Sequence, residues 1–485
     1  MFLKGGSTLQ RKYTIKKNTV KVLKNYKGKN SEAKSSSITR KSFSDELHIS
    51  IMTASSVDTS NTGRLLTPIE AERRGAVSAP KRRRHAVRDL TFKAAPPIPT
   101  APKDPIEKKK MWLVSTVKTH LAAIDIPFSI SVLLLALCGV FAVHSAALSF
   151  ESAKFVIIQC FAIILGIGIS LLLSVIDYRS LASQYRYIIA INAALLLITY
   201  IFGSSVTEST NANWIDLGFI KIQPSEFAKL LFIYSFAVHL SQVRDRMHKF
   251  STVLTLGIHA LIIFSLVLLQ RDLGSLTIFL CIFICMCFAA GISIWYYVAG
   301  GAFLLCVSPF IWAHLSEYQR NRIMLCFDES IDPLGVGIRY QQLRSQTAIG
   351  NGGIFGTGYT NGTVTQGIDD HLPAKHTDMI FSTICEEFGL IGALIILALT
   401  CFMIYRVFKI ALSCGNTTGC YICVGVASML MIQVVENVGM CLGVMPVIGI
   451  TYPFLSYGGS SVLSCFIATG LVLSVSTHSE NSFFN

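Results

Sequence analysis

The chain has 485 residues, 52% of them hydrophobic and 14% charged, with a mean hydropathy of +0.54. That composition excludes an ordinary soluble domain and reads as a membrane protein. The net charge of +14 does not indicate nucleic-acid binding by the folded part, because residues 1–110 hold 25 Lys+Arg against 9 Asp+Glu and the rest of the chain sums to −2.

Residues 1–110 are rich in Lys, Arg, Ser and Thr and poor in large apolar side chains. Stretches such as APKRRRH (79–85) and AAPPIPTAPKDP (94–105) bury too little surface to fold alone, so a disordered basic cytoplasmic tail is expected, touching anionic lipid heads rather than nucleic acid. KKKMW (108–112) marks the approach to the membrane.

Ten apolar stretches follow, each near the ~20 residues that cross a bilayer. They lie at 127–148, 154–176, 185–203, 224–242, 252–270, 273–293, 295–314, 378–405, 419–444 and 456–476. The expected fold class is therefore an all-α polytopic membrane protein of about ten transmembrane helices. Most of the fourteen Cys fall in these runs and read as small buried hydrophobes, the one CxxC spacing, Cys420–Cys423, lying inside an apolar span, so no metal or disulfide role is expected. The basic loops DYRSLASQYR, QVRDRMHKF and YRVFK fall on the side of the basic tail. By the positive-inside rule that side is cytoplasmic, with both termini on it.

The loop after the third span holds NANWIDLG (211–218), where Trp214 is either an interface anchor or a platform for a sugar. IKIQPSEFAKLLF (220–232) starts the fourth helix at Pro224, with Glu226 and Lys229 three apart and able to pair. In LLQRDLGSL (268–276), Arg271 and Asp272 form either an interface salt bridge or part of a cavity wall.

The large extracytoplasmic loop between the seventh and eighth helices, residues 315–377, is the anomaly. Connections of that length are usually functional or disordered. IRYQQLRSQTAIGNGGIFGTG argues for order, with helical spacing and a Gly-rich turn. Arg320, Arg322, Arg339, Arg344 and Lys375 run against the charge bias of outer loops. Solvated charges would explain them. So would an anionic substrate group met by Arg forks and by the N–H donors of a Gly-rich backbone.

At the mouth of the eighth helix stand Lys375, His376 and Asp378, with Thr377 as a plausible N-cap that places Asp378 in the first turn. Glu386 and Glu387 lie deeper. Acids at mid-bilayer cost about 2.5–3.5 kcal/mol each on insertion scales, so they face a cavity or a partner. Asp378, nearest water, is the better candidate for chemistry; at least one Glu is expected to be structural and to meet another helix. Glu436 and Asn437 in the ninth helix, and the Pro/Gly-interrupted MPVIGITYPFLSYGGSS (445–461), point to backbone that lines a cavity.

Taken together and in this order, NWIDLGFIKIQPSEFAK, QRDLGS, YQRNRI, DPLGVGIRYQQLRSQTAIGNGGIFGTG, LPAKHTDMIFSTICEEFGLIG and NVGMCLGVMPVIGITYPFLSYGGSS resemble the SEDS family (shape, elongation, division and sporulation proteins). Within it the chain is more similar to RodA than to FtsW. It departs from the family at Arg271, where Pro is usual, and at Asn213, where many members have a basic residue. The resemblance assigns 111–485 to a SEDS-type transmembrane glycosyltransferase domain in a bacterial plasma membrane. It implies polymerisation of lipid II on the outer face, with polyprenyl-pyrophosphate-linked glycan as product and Asp378 as the catalytic residue. Lys375, His376, Arg320, Arg339, Arg344 and Trp214 are the expected substrate-binding residues. Glu386, Glu387, Asp272, Glu226, Lys229 and Glu436 are structural or line the cavity. A divalent cation, Mg²⁺ or Mn²⁺, is implied as a requirement, although no residues form an obvious cage, and a class B penicillin-binding protein is implied as partner. The rival readings are a flippase for a lipid-linked precursor and a non-enzymatic scaffold for a transpeptidase.

Overall fold

The computed structural model describes residues 123–148, 153–203, 213–216, 218, 221–367 and 372–479, and the basic tail expected at 1–110 lies outside them. All ten expected spans form helices. They are α1 (Ile126–Leu148), α2 (Lys154–Val175), α3 (Tyr185–Phe202), α4 (Pro224–Val243), α5 (Phe250–Leu269), α6 (Leu273–Ala289), α7 (Ile294–His314), α10 (Ile380–Ser413), α11 (Thr417–Leu442) and α12 (Gly459–His478). Two shorter helices, α8 (Glu317–Met324) and α9 (Tyr340–Gly352), order the long loop between α7 and α10. A two-residue antiparallel pair, β1 (Ile215–Asp216) with β2 (Lys221–Ile222), sits before α4, Ile215 facing Ile222. The chain is a multi-pass membrane protein.

Eight of the helices are long and apolar enough to cross a bilayer. The two exceptions have physical reasons. Helix α6 is only 17 residues long, and α4 carries Glu226 and Lys229. Helix α4 tolerates these charges because it is buried among its neighbours rather than facing lipid. The Lys229 ammonium is 2.8 Å from Glu226 Oε1, and Ser464 of α12 donates to Oε2 at 2.9 Å. A buried charge needs such partners, and here both carboxylate oxygens have one.

Helices α11 and α12 are the most buried of the apolar spans, while α7 has no buried residue. Small residues set the closest approaches. A side chain at Gly166 of α2 would strike Phe466 of α12, and one at Gly139 of α1 would strike the backbone at Phe454 and Leu455. Asp125 caps α1 by accepting from Phe128 N at 2.9 Å and ties it to α10 through Arg406, 2.5 Å away.

Helix α10 is broken. Gly389 takes φ 65° and ψ −165°, far from helical values. A continuous helix would bond Leu390 N to the Glu386 carbonyl and Ile391 N to that of Glu387. Instead Leu390 N and Ile391 N donate to the carbonyls of Gly353 and Ile354, at 2.9 and 3.2 Å. The carbonyls of Glu386 and Glu387 accept from Thr357 N and Gly358 N, at 2.9 and 3.0 Å. Segment 353–358 of the loop thus runs alongside α10 and satisfies the peptide groups that the break releases. Without it they would be unpaired at membrane depth, at several kcal/mol each. The glycines make the approach possible, since a Cβ at Gly352, Gly356 or Gly389 would overlap backbone atoms of the facing segment.

Candidate active site

Asp378 lies in a turn two residues before α10, not in the helix's first turn as expected. The helix begins at Ile380, and its N-cap residue, Met379, makes no side-chain cap. Thr377 instead donates from Oγ1 to Asp378 Oδ1 at 2.7 Å. The turn is tightly made. Ala374 has φ 52°, and its carbonyl accepts from Thr377 N and Met379 N at 3.0 and 3.1 Å. Asn437 of α11 donates to the Asp378 carbonyl and to that of Ile450, both at 2.8 Å. One amide therefore joins the turn to the interrupted segment 445–458.

The Asp378 carboxyl is half-buried. Gln341 of α9 stands 3.5 Å from Oδ2, and Gly449 lies alongside it. Burial pushes its pKa above the usual carboxylate range. The Thr377 hydroxyl, Gln341 and the charge of Arg322 oppose that shift. Arg322, one of the basic residues of the outer loop, approaches the acid. It donates to the Val447 carbonyl at 2.7 Å and its guanidinium lies 4.5 Å over the Tyr318 ring, which holds a cation near the acid. Gln341 carried no signal in the sequence beyond its place on the same helix face as Arg344, three residues on.

The other expected residues divide into two groups. Arg339 and Arg344 flank and belong to α9, half-buried on the helix that carries Gln341. The Arg344 guanidinium lies 5.5 Å from the Tyr340 ring centre. Arg320 is turned elsewhere, donating to the carbonyls of Leu315 and Ala313 at the end of α7 at 2.9 and 3.4 Å. Trp214 is half-buried beside the β1–β2 pair. Asp272 caps α6, accepting from Ser275 N and Oγ at 2.9 and 2.8 Å. Of the two roles open to it, cavity wall fits: with Gln223, Glu226, Ser275, Gly449 and Thr451 it lines a cavity of about 20 Å³, room for roughly one water. That cavity shares Gly449 with the surroundings of Asp378. Glu436 is buried on α11, towards Cys281 of α6.

Lys375 and His376 are not exposed cations. Lys375 has no accessible surface, and its ammonium donates to the Thr365 carbonyl. Burial pulls its pKa down to about 8, against the pull of the Glu386 and Glu387 carboxylates. His376 packs between Phe155 and Tyr457, with ring centres 4.9 and 5.6 Å away. Burial first, then the charge of Lys375, lowers its pKa to about 4, so the ring is neutral near pH 7. The Lys375 ammonium is thus closed off from an open anion site, and the His376 ring offers an anion no positive charge near pH 7.

The two deeper acids are fully buried. Glu386 accepts from Val364 N at 2.8 Å, Thr365 N at 2.9 Å and Thr363 Oγ1 at 3.1 Å. Glu387 accepts from Ser145 of α1, so this acid does meet another helix. The Gly-rich turn is also reassigned. The N–H groups of Thr357 and Gly358 are spent on α10 and do not form a phosphate cradle.

Among the described residues, no three His, Cys, Asp or Glu side chains stand together as a metal-binding group. Among the described residues, Asp378 is thus not part of a three-ligand protein cage for a divalent ion.

A family model described as a cell cycle protein, FTSW_RODA_SPOVE, matches residues 126–481. Stage V sporulation protein E of Bacillus subtilis (strain 168) is 36% identical over 365 residues, covering 73% of this chain and 98% of the relative. Peptidoglycan glycosyltransferase MrdB of Escherichia coli (strain K12) is 36% identical over 303 residues, covering 61% of this chain and 78% of the relative. The crystal structure of the rod shape determining protein RodA of Thermus thermophilus is similar with a TM-score of 0.55 at 26% identity, covering 74% of this chain and 98% of that one. A chain from a peptidoglycan synthase complex that coordinates polymerization and crosslinking matches with a TM-score of 0.63 at 29% identity, covering 74% and 99%.

Proposed function

This chain belongs to the FtsW/RodA/SpoVE family, and from that premise we propose that it polymerises lipid II at the outer face of the plasma membrane, with Asp378 as general base. It is a peptidoglycan glycosyltransferase, as curated relatives are named. The observation that carries the finer reading is Asp378 itself: a half-buried carboxyl on a pinned turn at the mouth of α10. The basic residues Arg179, Arg186, Arg244, Arg246, Arg406 and Lys409 belong to the opposite ends of the helices. That bias supports an outward-facing Asp378 and cytoplasmic termini.

Glycosyl transfer needs a proton acceptor for the incoming hydroxyl and compensation for the leaving diphosphate. Asp378 takes the proton of the acceptor GlcNAc 4-hydroxyl. The oxygen then attacks the anomeric carbon of the growing chain, the C–O bond to polyprenyl pyrophosphate breaks, and the configuration inverts. Arg322, Arg339 and Arg344 supply positive charge towards the diphosphate. A divalent ion, Mg²⁺ or Mn²⁺, would share the charge of the diphosphate with these arginines. A class B penicillin-binding protein is the proposed partner; the likeness to a chain of a peptidoglycan synthase complex supports that pairing.

The experiment is polymerisation of labelled lipid II by the purified full chain, with and without a class B penicillin-binding protein and with and without Mg²⁺ or Mn²⁺. Glycan strands are expected. Transbilayer movement of lipid II without polymer under all conditions would favour the flippase reading instead. Two further results follow from the site. Because burial raises the Asp378 pKa, the base is lost as pH falls through a value above the ~3.9 of a free Asp. The acid limb of the kcat/KM–pH profile, which reports the free enzyme, should accordingly lie above the ordinary carboxylate range, and a limb at or below ~3.9 would contradict the assignment. Arg344→Ala should raise the lipid II concentration for half-maximal rate by about tenfold, the equivalent of one charge-assisted contact of ~1.5 kcal/mol. An unchanged concentration dependence would make Arg344 a loop residue without contact to substrate.

A further inference from the structure

We propose that Glu386 and Lys375 together act as a positioning device for Asp378, a role that rests on the reading of Asp378 as the base. Glu386 has no accessible surface and projects from α10 into the loop turn 363–365, where two backbone N–H groups and one hydroxyl converge on its two oxygens. A carboxylate with three donors is a clamp on that turn. The clamped turn then presents the Thr365 carbonyl to the Lys375 ammonium. Lys375 is three residues before Asp378, in the same turn, and its own carbonyl accepts from Thr383 Oγ1 of α10 at 3.1 Å. The Val364 carbonyl also accepts from Leu372 N at 3.2 Å, a second tie between the clamped turn and the approach to Asp378.

The turn that carries Asp378 is thus fixed from several sides. Asn437 holds the Asp378 carbonyl, and Tyr457 N donates to the His376 carbonyl at 2.8 Å. Lys375 supplies the tie from the loop side, and its anchor point is held in place by Glu386. Two oppositely charged groups buried at the mouth of a membrane helix are costly unless geometry requires them. Neither has accessible surface to meet a substrate. What they control is the placement of a base that works only within hydrogen-bond reach of an acceptor hydroxyl. A misplacement of about 1 Å costs on the order of 10²-fold in rate.

The test uses the full-length chain in detergent, with folded protein quantified by size exclusion so that rates are per folded molecule. Lys375→Met leaves Glu386 with its three donors and so keeps the buried carboxylate satisfied. It should lower kcat for lipid II polymerisation about 10²-fold while KM stays within about twofold. Glu386→Gln places an amide NH₂ against N–H donors and should give the same split. The double variant Lys375→Met/Glu386→Gln removes this oppositely charged pair and leaves Glu387 held by Ser145. It should regain thermal stability without regaining kcat, which a purely structural role would not allow. Natural kcat per folded molecule in Lys375→Met or in the double variant overturns the proposal. Asp378→Asn is run beside them. If it is inactive and Lys375→Met is normal, only the positioning role falls. If it is active, the base assignment falls and the positioning role with it.

Discussion

Asp378→Asn is expected to reduce lipid II polymerisation by a factor of about 10²–10⁴, the usual contribution of a positioned general base. The substitution is well matched to the site. Asparagine keeps the shape of the side chain, and its carbonyl oxygen still accepts from Thr377 Oγ1, the 2.7 Å contact that orients the acid. The turn's other ties run through backbone carbonyls and are untouched: Asn437 to Asp378, and Tyr457 N to His376. Folding should therefore be preserved, and the loss should appear in kcat. What is removed is the capacity to take a proton. The measurement is strand formation from labelled lipid II by purified variant and natural chain, matched for folded protein. A rate within about tenfold of the natural chain would assign proton removal to another group, because a base contributes at least ~10²-fold.

The second large effect is on stability. Gly356→Ala should cost roughly 2–5 kcal/mol, the sum of a left-handed backbone penalty and an overpacking penalty. Gly356 has φ 82°, and a Cβ there would overlap the Glu387 carbonyl oxygen. The facing atoms belong to the broken turn of α10 and cannot withdraw without losing the bonds from Thr357 N and Gly358 N. The loss should be visible as a lowered thermal midpoint in detergent and a lower yield of monodisperse protein. A midpoint within 2 °C of the natural chain, short of the roughly 3–7 °C that ~2–5 kcal/mol produces in a chain of this size, would mean that segment 353–358 does not hold α10 together.

Much of the architecture was legible because it rests on local signals. Ten apolar runs became ten helices, and Pro224 marked the start of α4 at the residue where it begins. The Glu226–Lys229 pair was readable from a spacing of three. Asp378 stood out as an acid at a helix mouth, and it lies in a pinned turn just before the helix. The break at Gly389 was not legible. GLIGALIILALT reads as uninterrupted apolar helix, and the partners that make a break tolerable lie about thirty residues earlier. For the same reason the GNGGIFGTG run looked like an anion cradle. Its glycines provide space for a second backbone, and that space is visible only once the two segments are side by side. The burial of Lys375 was not legible, because charge in a polar stretch suggests exposure. Burial of Lys375 depends on Thr365 and Glu386, neither of which is adjacent to it in sequence.

The break in α10 also has a consequence for biogenesis. A ribosome makes segment 353–358 before it makes Gly389, so the loop leaves the translocon first and must return to complete a helix that is still being threaded. Without the ribbon, the amides of Leu390 and Ile391 and the carbonyls of Glu386 and Glu387 could be satisfied only by each other, in an unbroken helix. The broken geometry at Gly389 is compatible with the bilayer only when loop and span are both in place, which ties the shape of this span to one short glycine-rich ribbon.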